Sequence, residues 1–219
     1  MSSHLLLINP NSSQATSEMM VSIAQKAANG RLAVASATAR RSPRMILKPD
    51  ELAAAADEVV EIGTRHEPGC LGIIVSAFGD PGLALLRERV GIPVVGICEA
   101  SMLEASRDGR RFGVATTTPD LADAIAERAR HLGLSHLYSG IRCTPGDPLA
   151  VAGDEERLRT SLWHAVRASV DLDGAEAVII GGGPLGKAAE QLQPLFDVPV
   201  IGPIPSAVMR VLGLLQVDA

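Results

Sequence analysis

Residues 72–83 read GIIVSAFGDPGL, a short apolar run that ends abruptly in small and polar residues. A run of that length bounded by glycine reads as a strand buried on both faces, the pattern of a parallel sheet. Asp80-Pro81-Gly82 reads as a turn into a helix that Asp80 begins. Ligands of open α/β sheets bind beyond the carboxyl ends of strands, where loop amides and helix N-termini face outward. Ser76, Ala77, Phe78 and Gly79 occupy that exit.

Working outward, the same alternation of short apolar runs and helical periodicity fills the chain. Strands are expected at 5–8, 31–39, 92–97, 112–115, 136–141, 177–180 and 198–201. Helices are expected between them, with Asn29-Gly30 closing the first, Thr118 and Pro119 opening the one after the fifth strand, and Asp154 capping another. Residues 98–101 read as the exit of the fourth strand and 144–153 as a loop. AEAVIIGGGPLG, a helix and VPVIG echo CLGIIVSAFGDPGL, a helix and IPVVG, while LLLINPNSS echoes FGVATTTPD. Two similar four-strand βα halves therefore fit better than one eight-strand wind, and their strand exits face each other across a cleft.

Composition agrees with this class. The chain has 219 residues but only one Trp, one Tyr and three Phe, so its core is built from Val, Ile, Leu and Ala. A formal charge of -5 supplies no basic field for nucleic acid. Three widely spaced cysteines, Cys70, Cys98 and Cys143, fit neither a disulfide framework nor a zinc motif. No basic leader and no run of membrane-spanning length occurs, so the expectation is a soluble cytoplasmic protein without a membrane partner.

The segments INPNSS, AFGDPGL, PVVGICEASM and ATTTPDL, in this order and spacing, resemble the aspartate/glutamate racemase superfamily, and its hydantoin racemase branch in particular. The resemblance spans nearly the whole chain. It implies an α/β fold of two flavodoxin-like parallel-sheet lobes related by a pseudo-two-fold, 1–97 plus 206–219 and 98–205, working without a cofactor and as a homo-oligomer on a small molecule. In that family one cysteine at a strand exit of each lobe faces the substrate's stereocentre, and the two exchange its α-proton from opposite sides. Matched residue by residue, those positions here are Ala77 and Gly182, neither of which transfers a proton.

The donors are still present: Asn9, Asn11, Ser12, Thr116, Thr117 and the amides around Ala77, Phe78, Gly79, Gly182 and Gly183 are expected to hold a carboxylate or cyclic amide. For the missing base the chain offers Ser76, Cys98 and Glu99. Strand alternation turns Ser76 to the face opposite Ala77, as a structural serine would be. Cys98 reads as a displaced thiol base or as a small buried hydrophobe, and Glu99 as a base or as a first-turn glutamate complementing a helix dipole. No histidine falls at an exit loop. Gly181–Gly186 matches G-x-G-x-x-G, yet the following strand ends in Gly202-Pro203 rather than the acid a dinucleotide ribose needs. Close approach to a small anion, or a tight turn, explains the glycines without a cofactor, and no residue set suggests a metal. Arg40, Arg41 and Arg44 read as a solvated basic loop or as a guide for an acidic substrate. The expected activity is isomerisation of a hydantoin, amino acid or similar carbonyl compound through an enolate. A decarboxylase, other lyase or hydrolase of the same superfamily and a non-catalytic binder are the alternatives.

Overall fold

The apolar run after His4 forms β1 (His4–Asn9), and helices and strands then alternate: α1 (Gln14–Ala28), β2 (Ala33–Thr38), α2 (Pro49–His66), β3 (Cys70–Val75), α3 (Leu83–Arg89) and β4 (Val94–Gly96). The strands make one parallel sheet in the order β2-β1-β3-β4. The computed structural model describes residues 4–217. Its second half repeats the pattern with α4 (Ile97–Ala105), β5 (Phe112–Thr116), α5 (Ala122–His131), β6 (Tyr138–Cys143), α6 (Pro148–Ala152), α7 (Glu155–Asp171), β7 (Ala177–Gly181), α8 (Gly186–Leu192), β8 (Val200–Ile201) and α9 (Pro203–Leu214). The second sheet is again parallel, in the corresponding order β6-β5-β7-β8. The expected pair of four-strand halves with matching topology is therefore present.

Local chemistry sets the helix ends. Ser13 accepts from the Thr16 amide at the start of α1, and Asn29 closes that helix in the left-handed conformation, φ 49°. Pro49 opens α2, where the Glu51 carboxylate accepts from the Leu47 and Lys48 amides. Asp154 caps α7 through the Arg157 amide, as its position predicts.

Other boundaries differ from the sequence reading. The 144–153 stretch holds α6, which Asp147 caps by accepting from the Leu149 and Ala150 amides. Thr118 does not cap a helix. Its hydroxyl pairs with that of Thr116, a 3-10 turn spans Pro119–Leu121, and α5 begins only at Ala122. No strand-exit loop follows β4 either, because α4 starts directly at Ile97 and draws Cys98 and Glu99 into its first turn. Among the described residues no helix is long and apolar enough to cross a membrane.

The first sheet is covered on one face by α2 and α3, through Val59, Ile62, Leu83 and Leu86. On its other face Ile204, Val208, Val211 and Leu212 of α9 share a cluster with Leu5, Leu7, Ile74 and Val95, so the last helix returns to the first sheet. The second sheet packs against α7 and α8 on one side. Its other side shares a cluster with α4, α5 and four buried residues from the first half, Ile46, Leu52, Ala55 and Phe78. That last cluster joins the halves.

A buried carboxylate crosses the same junction. Asp80, left-handed at φ 53°, does not open a helix as expected. Its Oδ1 accepts from the Cys98 amide at 2.9 Å and its Oδ2 from the Glu99 amide at 2.8 Å, satisfying two orphan donors at the start of α4. Arg128 on α5 approaches the same carboxylate at 3.2 Å and Glu99 at 3.4 Å, while Arg87 grips Glu99 with two bonds of 2.7 and 3.0 Å. Gly96 has no side chain because a Cβ there would coincide with the Asp80 carboxyl group.

Burial pushes the Asp80 carboxyl up from 3.8 to about 6, outweighing the lowering by Arg128 and by the two amides. A carboxyl that binds its proton more tightly folded than unfolded stabilises the fold most at acid pH, and that contribution declines as pH rises from about 4 through about 6. Asp80→Asn is expected to remove this component, about 3 kcal/mol across the interval on the scale of 1.36 kcal/mol per pKa unit. Urea midpoints of both proteins at pH 4.5 and 7 check it; a difference between them that does not change with pH would refute it. Ile204→Ala is expected to lower stability by about 2–5 kcal/mol, as for a fully buried aliphatic side chain. A denaturation midpoint equal to wild type would show that α9 contributes little to the first core.

Candidate functional site

The carboxyl ends of β1, β3, β5 and β7 meet between the two sheets and enclose a cavity of about 440 Å³. Asn11, Ser76, Ala77, Phe78, Thr117, Gly182 and Gly183 line it, as does Thr118. The two positions matched to the family cysteines, Ala77 and Gly182, thus share one cavity. Its walls are apolar, with Met45, Ile46 and Leu52 from one half facing Leu121, Leu158 and Leu185 from the other. Charge is confined to Glu155, Arg159 and Lys187, all exposed, with Glu155 and Lys187 paired to each other.

Four of the residues expected to bind substrate lie off this lining. Asn9 is fully buried and braces the loop beneath it, its amide donating to Asn11 Oδ1, Ser17 Oγ and the Ser13 carbonyl at 2.9, 2.9 and 3.1 Å. Its own Oδ1 accepts from the Asn11 amide, which holds Asn11 at the cavity. Ser12 instead lines a separate depression beside β2, with Thr38, Arg40 and Glu58. Thr116 is buried and donates to the Gly181 carbonyl at 2.6 Å, tying the exits of β5 and β7 together. Gly79 has φ +140°, and a side chain there would strike Leu52.

The three candidates for a base separate in space. Cys98 is fully buried in the apolar cluster joining the halves and does not line the cavity; burial foremost, with the neighbouring Asp80 charge, pushes its thiol well above the ordinary range. That is the small-hydrophobe alternative. Glu99 also stands off the lining, with its carboxylate engaged by Arg87 and Arg128. Ser76 does line the cavity.

The triple glycine has a packing cause. A Cβ on Gly181 would press on Phe78 and Val114, and one on Gly183 on Met20, so the second half approaches the first through bare backbone. Gly182 adopts φ +156°, ψ 130°, a conformation L side chains rarely enter, and a Cβ there would lie 3.0 Å from Leu185. Among the described residues no group of three or more His, Cys, Asp or Glu is placed to hold a metal ion.

Sequence reading overlooked the walls and the charged mouth. Met45 and Ile46 sit just beyond the basic loop, an apolar pair whose placement only the signal of two large hydrophobes in a polar stretch suggests. Leu158, expected in the buried stripe of its helix, faces the cavity from the first turn of α7.

With this geometry the chain can be set beside known proteins. The family model described as Asp/Glu/Hydantoin racemase matches residues 5–211. The hydantoin racemase of Paenarthrobacter aurescens is 30% identical over 206 residues, covering 93% of this chain and 87% of that protein. Among solved structures, the allantoin racemase from Klebsiella pneumoniae superposes with a TM-score of 0.92 at 28% identity, covering 98% of this chain and 88% of the other. An arylmalonate decarboxylase crystal structure shares the fold at a TM-score of 0.68 and 18% identity, over 99% of this chain and 94% of its own. Extending over nearly the full length and both sheets, the match establishes that the chain belongs to the Asp/Glu/Hydantoin racemase family.

Proposed function

We propose that the cleft binds a small hydantoin-like cyclic amide or carboxylate bearing an apolar substituent, and that this chain does not racemise it by the two-thiol route. The observation that carries the reading is the pairing of Ala77 and Gly182 in one cavity whose lining, among the described residues, includes no Cys, His or Asp. The two-thiol route needs a base on each face of the stereocentre, and neither a methyl group nor a hydrogen is one. Asn11, Thr117 and the backbone amides of the strand exits supply neutral donors for carbonyl or carboxylate oxygens, and the aliphatic walls suit a hydrophobic substituent.

Lobes of 1–97 with 206–219 and of 98–205 closing on the ligand, the lack of a cofactor, a homo-oligomeric assembly and a cytoplasmic location belong to the same proposal. Decarboxylation is a second reading favoured by the apolar walls, since loss of carbon dioxide from a desolvated carboxylate begins without removal of an α-proton.

Calorimetric titration with hydantoins carrying alkyl or arylmethyl groups at C5, and with disubstituted malonates, tests the ligand class. Saturable binding is expected, and absence of binding across the panel overturns it. In deuterated water the bound hydantoin is expected to keep its α-proton. The double variant Ala77→Cys/Gly182→Cys, checked for folding because the backbone at 182 disfavours a side chain by about 1–3 kcal/mol, is expected to exchange that proton at least about 10²-fold faster. Deuterium uptake by the wild-type chain at the rate of the double variant would overturn the mechanistic half of the proposal.

A further inference from the structure

The lining of the cleft sorts by depth. Neutral donors stand at the strand exits, aliphatic side chains such as Ile46, Leu52 and Leu121 are buried along its walls, and its charged groups are exposed where it opens to solvent. One face of α7 carries the change from wall to opening. Leu158 is half-buried in the wall, while Glu155, three residues before it, and Arg159, the next residue, are exposed and charged. From α8, Lys187 joins them.

These three charges do not cancel. Lys187 Nζ donates to Glu155 Oε1 at 2.5 Å, an ion pair between α7 and α8. Arg159 has no hydrogen bond or ion pair of its own among the described residues. Its guanidinium nevertheless stands within electrostatic reach of that pair: the bond from Lys187 is the main cause that holds the Glu155 carboxyl below the usual carboxylate range, and the Arg159 charge adds to it. The opening thus carries one positive charge in excess, on a chain of formal charge -5. If charge here served only to join α7 to α8, Glu155 and Lys187 would suffice. The surplus group is a guanidinium, whose planar fork of donors matches a carboxylate.

We propose that Arg159 is a specificity-determining residue of the cleft, receiving a carboxylate at the end of the ligand's apolar arm. This rests on the cleft binding a hydantoin-like head, and it narrows that class to compounds whose C5 arm is apolar next to the ring and acidic at its tip. The ring meets the donors of the strand exits, the arm runs along the aliphatic walls, and the acid stays at the opening, where water still solvates it and no charge has to be buried. Lys187 has a part in this by neutralising Glu155, which would otherwise repel the same acid. Arg159 makes and breaks no bond in this role.

The test titrates wild type, Arg159→Gln and Glu155→Gln with two hydantoins whose C5 arms are equally long, one ending in a carboxylate and the other in the neutral carboxamide. Wild type is expected to bind the acid about three- to fivefold more tightly than the amide at low salt, with the preference shrinking as salt screens it. Arg159→Gln is expected to bind the amide as wild type does and to lose the preference. Glu155→Gln, which frees Lys187 of its countercharge, is expected to enlarge it. Both variants are expected to melt close to wild type, because the side chains replaced are exposed. Equal binding of acid and amide by wild type, or a preference that survives in Arg159→Gln, overturns the role of Arg159 and leaves the ligand class of the cleft standing. Failure of wild type to bind either compound overturns the reading of the cleft and this inference with it.

Discussion

The Asp80 carboxylate is the point on which the rest of the structure turns. It leaves the loop after β3, accepts two amide hydrogens from the first turn of α4 and meets Arg128 of α5. Three elements, one from each side of the junction and the helix that links them, are thereby referred to one buried group. The arrangement accounts for the left-handed Asp80, for the missing side chain at Gly96 and for the absence of any loop between β4 and α4. Because charge so far from water is unfavourable unless well coordinated, the geometry tolerates little displacement. The turn from Ala77 to Asp80, closed by an amide-to-carbonyl bond of 3.0 Å, is held at the cavity by the same contact.

The opposing wall is built differently. Gly181 and Gly183 let the second sheet's exit approach Phe78 and Met20, and Thr116 ties that exit to its neighbour through Gly181. Bare backbone packed against aromatic and thioether side chains brings Ala77 and Gly182 into a common cavity. The first wall holds Ala77, and the second holds Gly182 in a conformation that resists a side chain.

Much of this was legible in the sequence. The runs LLLIN, GIIV, FGVA and AVII became central strands because continuous β-branched and aliphatic residues suit a sheet buried on both faces. The internal echo became two sheets of corresponding order. Less legible were elements whose formation depends on partners distant in the chain. The segment 98–101 reads as the exit of the fourth strand until Asp80, seventeen residues before Ile97, supplies the cap that starts a helix there. A five-residue α6 carries too little periodicity to be distinguished from a loop. Asn9 and Thr116 have the chemistry of ligand donors, yet both spend it on bracing their own loops.

The sequence by itself determined the class of fold, the pairing of its halves and the identity of the residues at the four strand exits, because hydrophobic period and small-residue turns are local properties. It also determined that no thiol stands at positions 77 and 182. Only the tertiary structure decided that those two positions share one cavity, that Cys98 and Glu99 stand off it, and that the Ser76 hydroxyl is buried without a partner. The physical reason is that burial and hydrogen-bond satisfaction are set by what packs from the other half of the chain, and a residue's type does not disclose whether its polar group already has a partner.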